Sequence, residues 1–128
     1  MGHRANYAQL HFGEHLGPDR SSLDVPWATF VGDASSTKTF EVPSPPVDPY
    51  LELQAYEVGA FDHEILVNGD PISGFDLPPS EGWQYWMDAV TGAALHEGEN
   101  TLQVCRDAAG DDSFVVGNVV VHWKERRD

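Results

Sequence analysis

The chain has one cysteine, Cys105, so its 128 residues cannot form an internal disulfide bond. It also lacks any apolar run close to the roughly 20 residues that a membrane-spanning helix needs. The N-terminal residues are polar, and no apolar segment of signal-peptide length follows them. These absences favour a cytoplasmic protein without a membrane partner, of a length that suits one domain, 1–128, with its own core.

Positive charge is scarce as well. Seven lysine and arginine residues stand against 21 aspartate and glutamate residues, which gives a formal net charge of −14. Lys38 and Lys124 are the two lysines, and the acidic residues are spread along the chain rather than gathered in a tail. This charge pattern resembles that of proteins from salt-loving archaea, in which self-repulsion aids solubility and high salt screens it. Nucleic acid is not an expected partner, because binding a duplex backbone needs a positive stripe.

Most of the chain consists of short segments that alternate between apolar and polar residues or are rich in β-branched residues, as strands are. These segments are residues 5–13, 27–31, 37–42, 50–58, 63–67, 102–105 and 114–123. Within the four strongest of them, apolar positions of like parity are expected to form the core. These positions are Leu51, Leu53, Ile65, Val67, Leu102, Val104, Val119 and Val121. Gly117 inside the last segment indicates a β-bulge.

Turn-forming residues separate the segments and predict loops over residues 14–26 and 68–82. Residues 43–49 contain four prolines, and we expect them to form a connector outside the sheets because proline lacks a backbone donor. Residues 83–94 fit both helical spacing and an extended segment. The whole pattern predicts an all-β fold, an antiparallel two-sheet β-sandwich or jelly roll of about eight strands with at most one short helix.

Three sequence features resemble the galactose-binding-like β-sandwich domains that accompany many glycoside hydrolases. The first is a strand that ends in Asn68-Gly69, and the second is an aromatic segment that contains Asp88. The third is a Leu-x-x-Gly-x-Asn turn from Leu95 to Asn100. The resemblance implies a β-sandwich whose role is sugar binding, protein binding or purely structural. The whole chain also resembles a small haloarchaeal protein family, which would account for the charge but supplies no activity.

A histidine motif and several acidic clusters raise the question of catalysis. His11-Phe12-Gly13-Glu14-His15 matches the H-x-x-E-H pattern of inverted zinc peptidases, which need both histidines on one helical face. An extended segment places His11 and His15 too far apart to hold one ion. Acidic side chains crowd certain loops without the spacing of an EF-hand. These residues are Asp33, Asp76, Asp88, Asp107, Asp111 and Asp112. The sequence therefore predicts no metal ligand and no cofactor, although a structural cation in the acidic loops stays open.

Two further candidates for catalysis have simpler explanations. Glu97 and Glu99 flank a glycine in a turn, where carboxylates are usually solvated rather than paired across a cleft as in glycosidases. Cys105 ends an apolar strand, where cysteine usually packs as a small hydrophobe. We therefore expect no catalytic residue and no enzymatic activity.

The aromatic segment supplies the best ligand-binding candidates, which are Trp83, Tyr85, Gln84 and Asp88. Aromatic faces stack on sugar rings, and the amide or the carboxylate could then fix the orientation of the sugar. We expect Trp83 and Tyr85 to be partly exposed, and Trp86 and Met87 to be more buried. Two functions remain: a non-catalytic module that binds a carbohydrate or another small polar ligand, and a structural or protein-interaction domain that could form a homodimer.

The charge predicts that stability depends on salt. Repulsion at a net charge of −14 should be relieved in molar KCl, because the screening length falls to roughly 3 Å at 1 M. We therefore expect a higher melting temperature in molar KCl than in dilute buffer, measured by thermal melts of the same sample. An unchanged or lower melting temperature would contradict the resemblance to halophilic proteins.

Overall fold

The computed structural model of the chain describes residues 2–73 and 78–127. Its strands are β1 (Gly2–Leu16), β2 (Thr29–Gly32), β3 (Lys38–Val42), β4 (Pro46–Val58), β5 (Glu64–Val67), β6 (Asp70–Pro71), β7 (Ser80–Ala89), β8 (Gly98–Cys105) and β9 (Phe114–Arg127). A 3₁₀ turn at Arg20–Ser22 interrupts the loop after β1. Among the described residues, no helix is long and apolar enough to cross a membrane.

The strands form two sheets that enclose one core. The order in the five-stranded sheet is β2-β1-β9-β4-β7, and the order in the four-stranded sheet is β3-β8-β5-β6. The paired strands run antiparallel, with the exception of the short β1–β2 pair. The predicted all-β, two-sheet sandwich is confirmed.

The side chains between the sheets are those that alternation predicts. All eight residues expected in the core are buried, with exposed fractions of at most 2%. Phe40 and Val42 of β3 and Leu10 and Phe12 of β1 join them from the predicted faces of their strands. Burial of each such side chain contributes roughly 1.5–3 kcal/mol to stability, so this apolar layer is the main source of stabilisation.

β1 and β4 are among the strands that extend further than the sequence predicts. β1 continues through residues 14–16, which were expected in a loop, because a bulge between His11 and Glu14 bends the strand without ending it. Gly13 within this bulge has φ = 60°, a conformation that glycine adopts without strain. β4 begins at Pro46, so the segment 43–49 does not stay outside the sheets. The first residues of β4, before Tyr50, pair with β9 and not with β7. A proline is tolerated there because the missing N–H group would have faced the unpaired edge of the strand.

The ambiguous segment 83–94 is extended through Ala89, where β7 ends. β7 is an edge strand paired with β4, and its side chains alternate between an exposed and a partly buried face. Met87 is 59% exposed, so the expectation that it is buried was wrong. The period of two places Met87 on the same face as Trp83 and leaves Trp86 partly buried against the core. The predicted loop over residues 68–82 includes β6, and its residues 74–77, Asp76 among them, lie outside the described residues.

Two asparagines join the turn after β5 to the start of β8. Asn68 and Gly69 both have positive φ, as a type I′ hairpin turn requires. The amide of Asn68 donates to Oδ1 of Asn100 at 2.9 Å, and its own Oδ1 accepts the Thr101 N–H at 2.9 Å. Asn100 is fully buried and bonds the backbone of residues 96 and 98 as well. Two of the three motifs that carry the resemblance are thus one hydrogen-bonded unit.

A buried carboxylate closes one end of the core. Glu125 has no exposed surface and accepts hydrogen bonds from Trp123 Nε1 at 2.9 Å, Arg4 at 2.8 Å and Asn6 at 3.1 Å. These donors stabilise the ionised form and outweigh the cost of burial, which lowers the pKa of Glu125 from its ordinary 4.5 to about 2. The carboxylate therefore links β1 to β9 in its charged form.

This lowered pKa predicts a pH-dependent contribution to stability. The contribution is present above the ordinary pKa of 4.5 and is lost as the pH falls toward about 2, because the native state must then take up a proton. Glu125→Gln should therefore destabilise the protein at pH 6 and should lose this deficit near pH 2. Urea unfolding of both proteins across this range measures the difference. A deficit that does not change with pH would contradict the assignment.

Candidate functional site

The outer face of the five-stranded sheet carries the side chains that alternation directs away from the core. On β4, Leu51, Leu53 and Ala55 are buried, and the intervening Glu52, Gln54 and Tyr56 face outward. Gln54 pairs with Tyr85 of β7, and Tyr56 pairs with Trp83. Trp83 and Tyr85 are 53% and 58% exposed, as predicted. Two neighbouring strands therefore present an aromatic and polar surface to solvent.

Three aromatic rings form a cluster at one end of this face. The Trp83 ring centroid lies 5.2 Å from that of Tyr56, and the Trp27 centroid lies 5.5 Å from Tyr56 and 5.8 Å from Trp83. Trp27 comes from the loop before β2 and is 57% exposed. These spacings are those of favourable aromatic contacts, worth roughly 0.5–1.5 kcal/mol per pair beyond area burial. The rings thus hold one another in position while large parts of them stay open to solvent.

A groove of about 400 Å³ lies beside the cluster and is lined by Gln54, Trp83, Gln84 and Tyr85. Gly117 of β9 lies beneath it, at the bulge that the sequence indicated and that shifts the register between β9 and β4. A Cβ atom at position 117 would lie 3.0 Å from Cζ3 of Trp83 and 3.3 Å from Gln54. The glycine therefore lets the Trp83 ring lie close to the sheet.

A carboxylate orients the next residues along the face. Glu52 forms a hydrogen bond with the Tyr85 hydroxyl, which raises the pKa of Tyr85 because the bond favours the protonated phenol. Oε1 of Glu52 also lies 2.6 Å from Nε2 of His122 on β9. Tyr85, which is 58% exposed, thus presents its protonated hydroxyl beside Glu52, next to the groove.

The predicted ligand-binding residues divide between the two faces of β7. Trp83 and Tyr85 lie on the outer face, whereas Gln84 and Asp88 alternate with them. Gln84 donates to the Pro78 carbonyl at 2.8 Å and still contributes to the groove, and Asp88 accepts from the Ala89 N–H at 2.8 Å. Asp88 does not line the groove.

Three contributors to this face were missed in the sequence. Trp27 reaches the cluster only through the fold of a long loop, so no local signal marks it. Gln54 and Tyr56 could have been predicted from the sequence. They alternate with Leu53 and Ala55, whose burial the apolar pattern of this strand indicates.

The other candidate residues do not converge. His11 Nδ1 lies 2.8 Å from Oδ1 of Asn118, whereas His15 is buried with its Nε2 2.6 Å from Oγ of Ser113. Glu14 accepts from Ser36, so the H-x-x-E-H side chains engage three different partners. Within residues 2–73 and 78–127, no three histidine, cysteine, aspartate or glutamate side chains lie together as metal ligands would.

The acidic loop before β9 is held internally. Asp112 accepts from His63 Nε2 at 2.7 Å and from the backbone of residues 59 and 60. The Asp107 N–H donates to His63 Nδ1 at 3.0 Å, so the two ring nitrogens of His63 have opposite roles. Glu97 and Glu99 are exposed, as expected.

Comparisons with known proteins identify the family and the fold. The chain belongs to the family of unknown function DUF7383, whose model matches residues 4–125. No curated protein matches the sequence. Among solved structures, it is similar to the CBM36-1 domain of a multidomain xylanase from the hindgut metagenome of Trinervitermes trinervoides, with a TM-score of 0.57 and 10% identity. That match covers 91% of this chain and 96% of the other.

It is also similar to a GH26-CBM35 β-(1,4)-mannanase from Podospora anserina, with a TM-score of 0.53 and 12% identity. This match covers 99% of the chain but 29% of the mannanase chain. At these identities the similarity establishes the β-sandwich fold alone. The haloarchaeal origin expected from the charge stays a prediction.

The packing of Trp83 over Gly117 leads to a testable expectation. Gly117→Ala should push the Trp83 ring outward by a few tenths of an ångström, because the added Cβ would contact it at 3.0 Å. Overpacking of this kind costs roughly 1–3 kcal/mol of stability. The indole resonances of Trp83 and its contacts to Tyr56 in NMR spectra measure the displacement. Gly110→Ala is the matched control, since its nearest atom lies at 3.8 Å; equal spectra for both variants would contradict the packing.

Proposed function

We propose that this chain is a non-catalytic β-sandwich module that binds a carbohydrate through the aromatic groove on the outer face of its five-stranded sheet. The observation that carries the proposal is the meeting of exposed rings and polar groups in one groove. Trp83 and Tyr85 present ring faces, and Gln54 supplies an outward-facing amide beside them. Aromatic faces contact the C–H surfaces of a sugar ring, while amides both donate to and accept from its hydroxyls.

The size of the groove is compatible with a small ligand. Its volume of about 400 Å³ lies in the range of small-molecule sites, which are roughly 300–1,000 Å³. The amides that line it neither attack nor transfer protons, so the proposal is binding without catalysis. The fold is compatible with this role, because two of the solved structures similar to it are a CBM36-1 domain and an enzyme that contains a CBM35 module.

The affinity of a single site of this kind should be weak. Stacking on one ring adds on the order of 1 kcal/mol beyond area burial, so we expect dissociation constants near 1 mM, equivalent to about 4 kcal/mol. NMR titration with a broad panel of soluble sugars at tens of millimolar should shift the Trp83 and Tyr85 resonances. If no sugar in the panel shifts the resonances of either residue, the alternative of a structural or protein-interaction domain replaces the sugar-binding hypothesis.

A pair of variants tests the location of the site. Trp83→Ala should weaken the binding of a monosaccharide or disaccharide by about tenfold or more, because it removes the largest ring of the groove. Tyr7→Ala is the matched control: Tyr7 is a 63%-exposed aromatic residue on the same sheet, on β1 rather than β7. It should leave the binding of these short sugars unchanged. Equal effects of the two variants would overturn the assignment to the Trp83 groove.

A further inference from the structure

A second aromatic group lies at the opposite end of the same outer face. Tyr50 of β4 stacks on His122 of β9, with ring centroids 4.5 Å apart and planes inclined by 8°. The Tyr7 ring of β1 lies 6.2 Å from His122 and is 63% exposed. The register places Tyr7, His122 and Tyr50 directly opposite one another on three adjacent strands. They therefore form a row across the sheet.

The two aromatic groups are separated by a fixed distance. Tyr50 and Tyr56 both face outward on β4, six residues apart, so roughly 20 Å of strand separates the row from the Trp83 cluster at about 3.3 Å per residue. A monosaccharide cannot contact both groups across this span. A ligand that uses both must be an extended chain.

The surface between the aromatic groups is mostly polar, with the partly exposed Val120 of β9 as an apolar position opposite Glu52. The outward positions of β4 there are Glu52 and Gln54, and their neighbours across β9 and β1 include Gln9, His11 and Asn118. His11 and Asn118 are hydrogen-bonded to each other at 2.8 Å, and the Asn118 N–H donates to Gln54 at 3.4 Å. These groups are already ordered, so contacts with hydroxyls would cost little side-chain entropy. Aromatic groups at both ends with hydrogen-bonding groups between them suit a chain of sugar units.

The charges on this face restrict the chemistry of such a chain. Glu52 lies in the middle of the path, 2.6 Å from Nε2 of His122, in a molecule with a net charge of −14. Lys124, the cation nearest the second group in the strand register, lies 3.9 Å from Asp48, which counters it. A chain that carries carboxylates would therefore be repelled rather than attracted.

We infer that the outer face binds a linear, uncharged oligosaccharide that spans from the Trp83 groove to the row of Tyr7, His122 and Tyr50. This inference rests on the proposed function and adds the length and charge class of the ligand. Tyr7 and Tyr50 then determine the preference for long chains, whereas Trp83 acts on chains of any length.

Titration calorimetry and NMR with xylo-, manno- and gluco-oligosaccharides of increasing length, from the monosaccharide to the hexasaccharide, test the inference. Affinity should rise with length until the chain reaches the second aromatic group. Tyr7→Ala and Tyr50→Ala should each weaken hexasaccharide binding by about threefold to tenfold and leave monosaccharide binding unchanged. Tyr7 is the primary variant because its exposed side chain contributes least to the core, and spectra of both variants verify folding.

The outcomes separate this inference from the proposed function. An affinity that does not depend on chain length would overturn the inference and leave the proposed function intact. The same holds if Tyr7→Ala and Tyr50→Ala bind the hexasaccharide as tightly as the parent protein while Trp83→Ala binds it more weakly. If Trp83→Ala has no effect on any sugar, both fall. An oligogalacturonate hexasaccharide should bind at least about tenfold more weakly than the neutral hexasaccharides. Equal or tighter binding of the acidic chain would overturn the charge class.

Discussion

The pairing of β9 with both β1 and β4 is the constraint on which the rest of the structure depends. β9 lies at the centre of the five-stranded sheet, and the period of two along it sends Val119, Val121 and Trp123 into the core. The bulge at Gly117 is one of two places where the pairing of β9 with β4 shifts register, and the Trp83 ring lies over it. Because β1 and β4 take their register from β9, a slip of one residue would exchange the buried and exposed faces of all three strands.

This constraint also explains why an aromatic surface remains outside. The inner faces of the two sheets cover each other, whereas among residues 2–73 and 78–127 the loop that carries Trp27 packs beside the outer face at β4 and β7 and leaves its rings partly exposed. Full burial of a large apolar side chain is worth roughly 1.5–3 kcal/mol, and half-exposed rings forgo part of that stabilisation. Trp83 and Tyr85 are therefore placed where they contribute less to folding than their size allows, as expected of residues that contact a ligand.

The sequence predicted the core better than the site. The alternation of apolar and polar residues predicted the burial of Leu51, Leu53 and the equivalent residues of the other strands. It does so because each strand buries one face, which places apolar residues at every second position. The exposure of Trp83 and Tyr85 was also predicted, from their position after a proline-rich loop. Gln84 and Asp88 were grouped with them although strand parity turns both away, since a helix and a strand could not be distinguished there. Trp27 depends on the path of a long loop, which local patterns do not encode.

Two of the three motifs behind the resemblance, the strand end at Asn68-Gly69 and the turn from Leu95 to Asn100, serve the fold and leave the ligand undetermined. Asn68 and Asn100 satisfy each other and the backbone around them, and Asn100 has no surface with which to contact a ligand. They belong to β5, its turn and β8 in the four-stranded sheet, whereas the aromatic groove lies on the five-stranded sheet. A sequence can therefore keep this hydrogen-bonded unit, and with it the sandwich, while the outer face of the other sheet changes freely. Under the proposed function, specificity for a sugar depends on that outer face, on the spacing of its rings and on the charge of Glu52 between them.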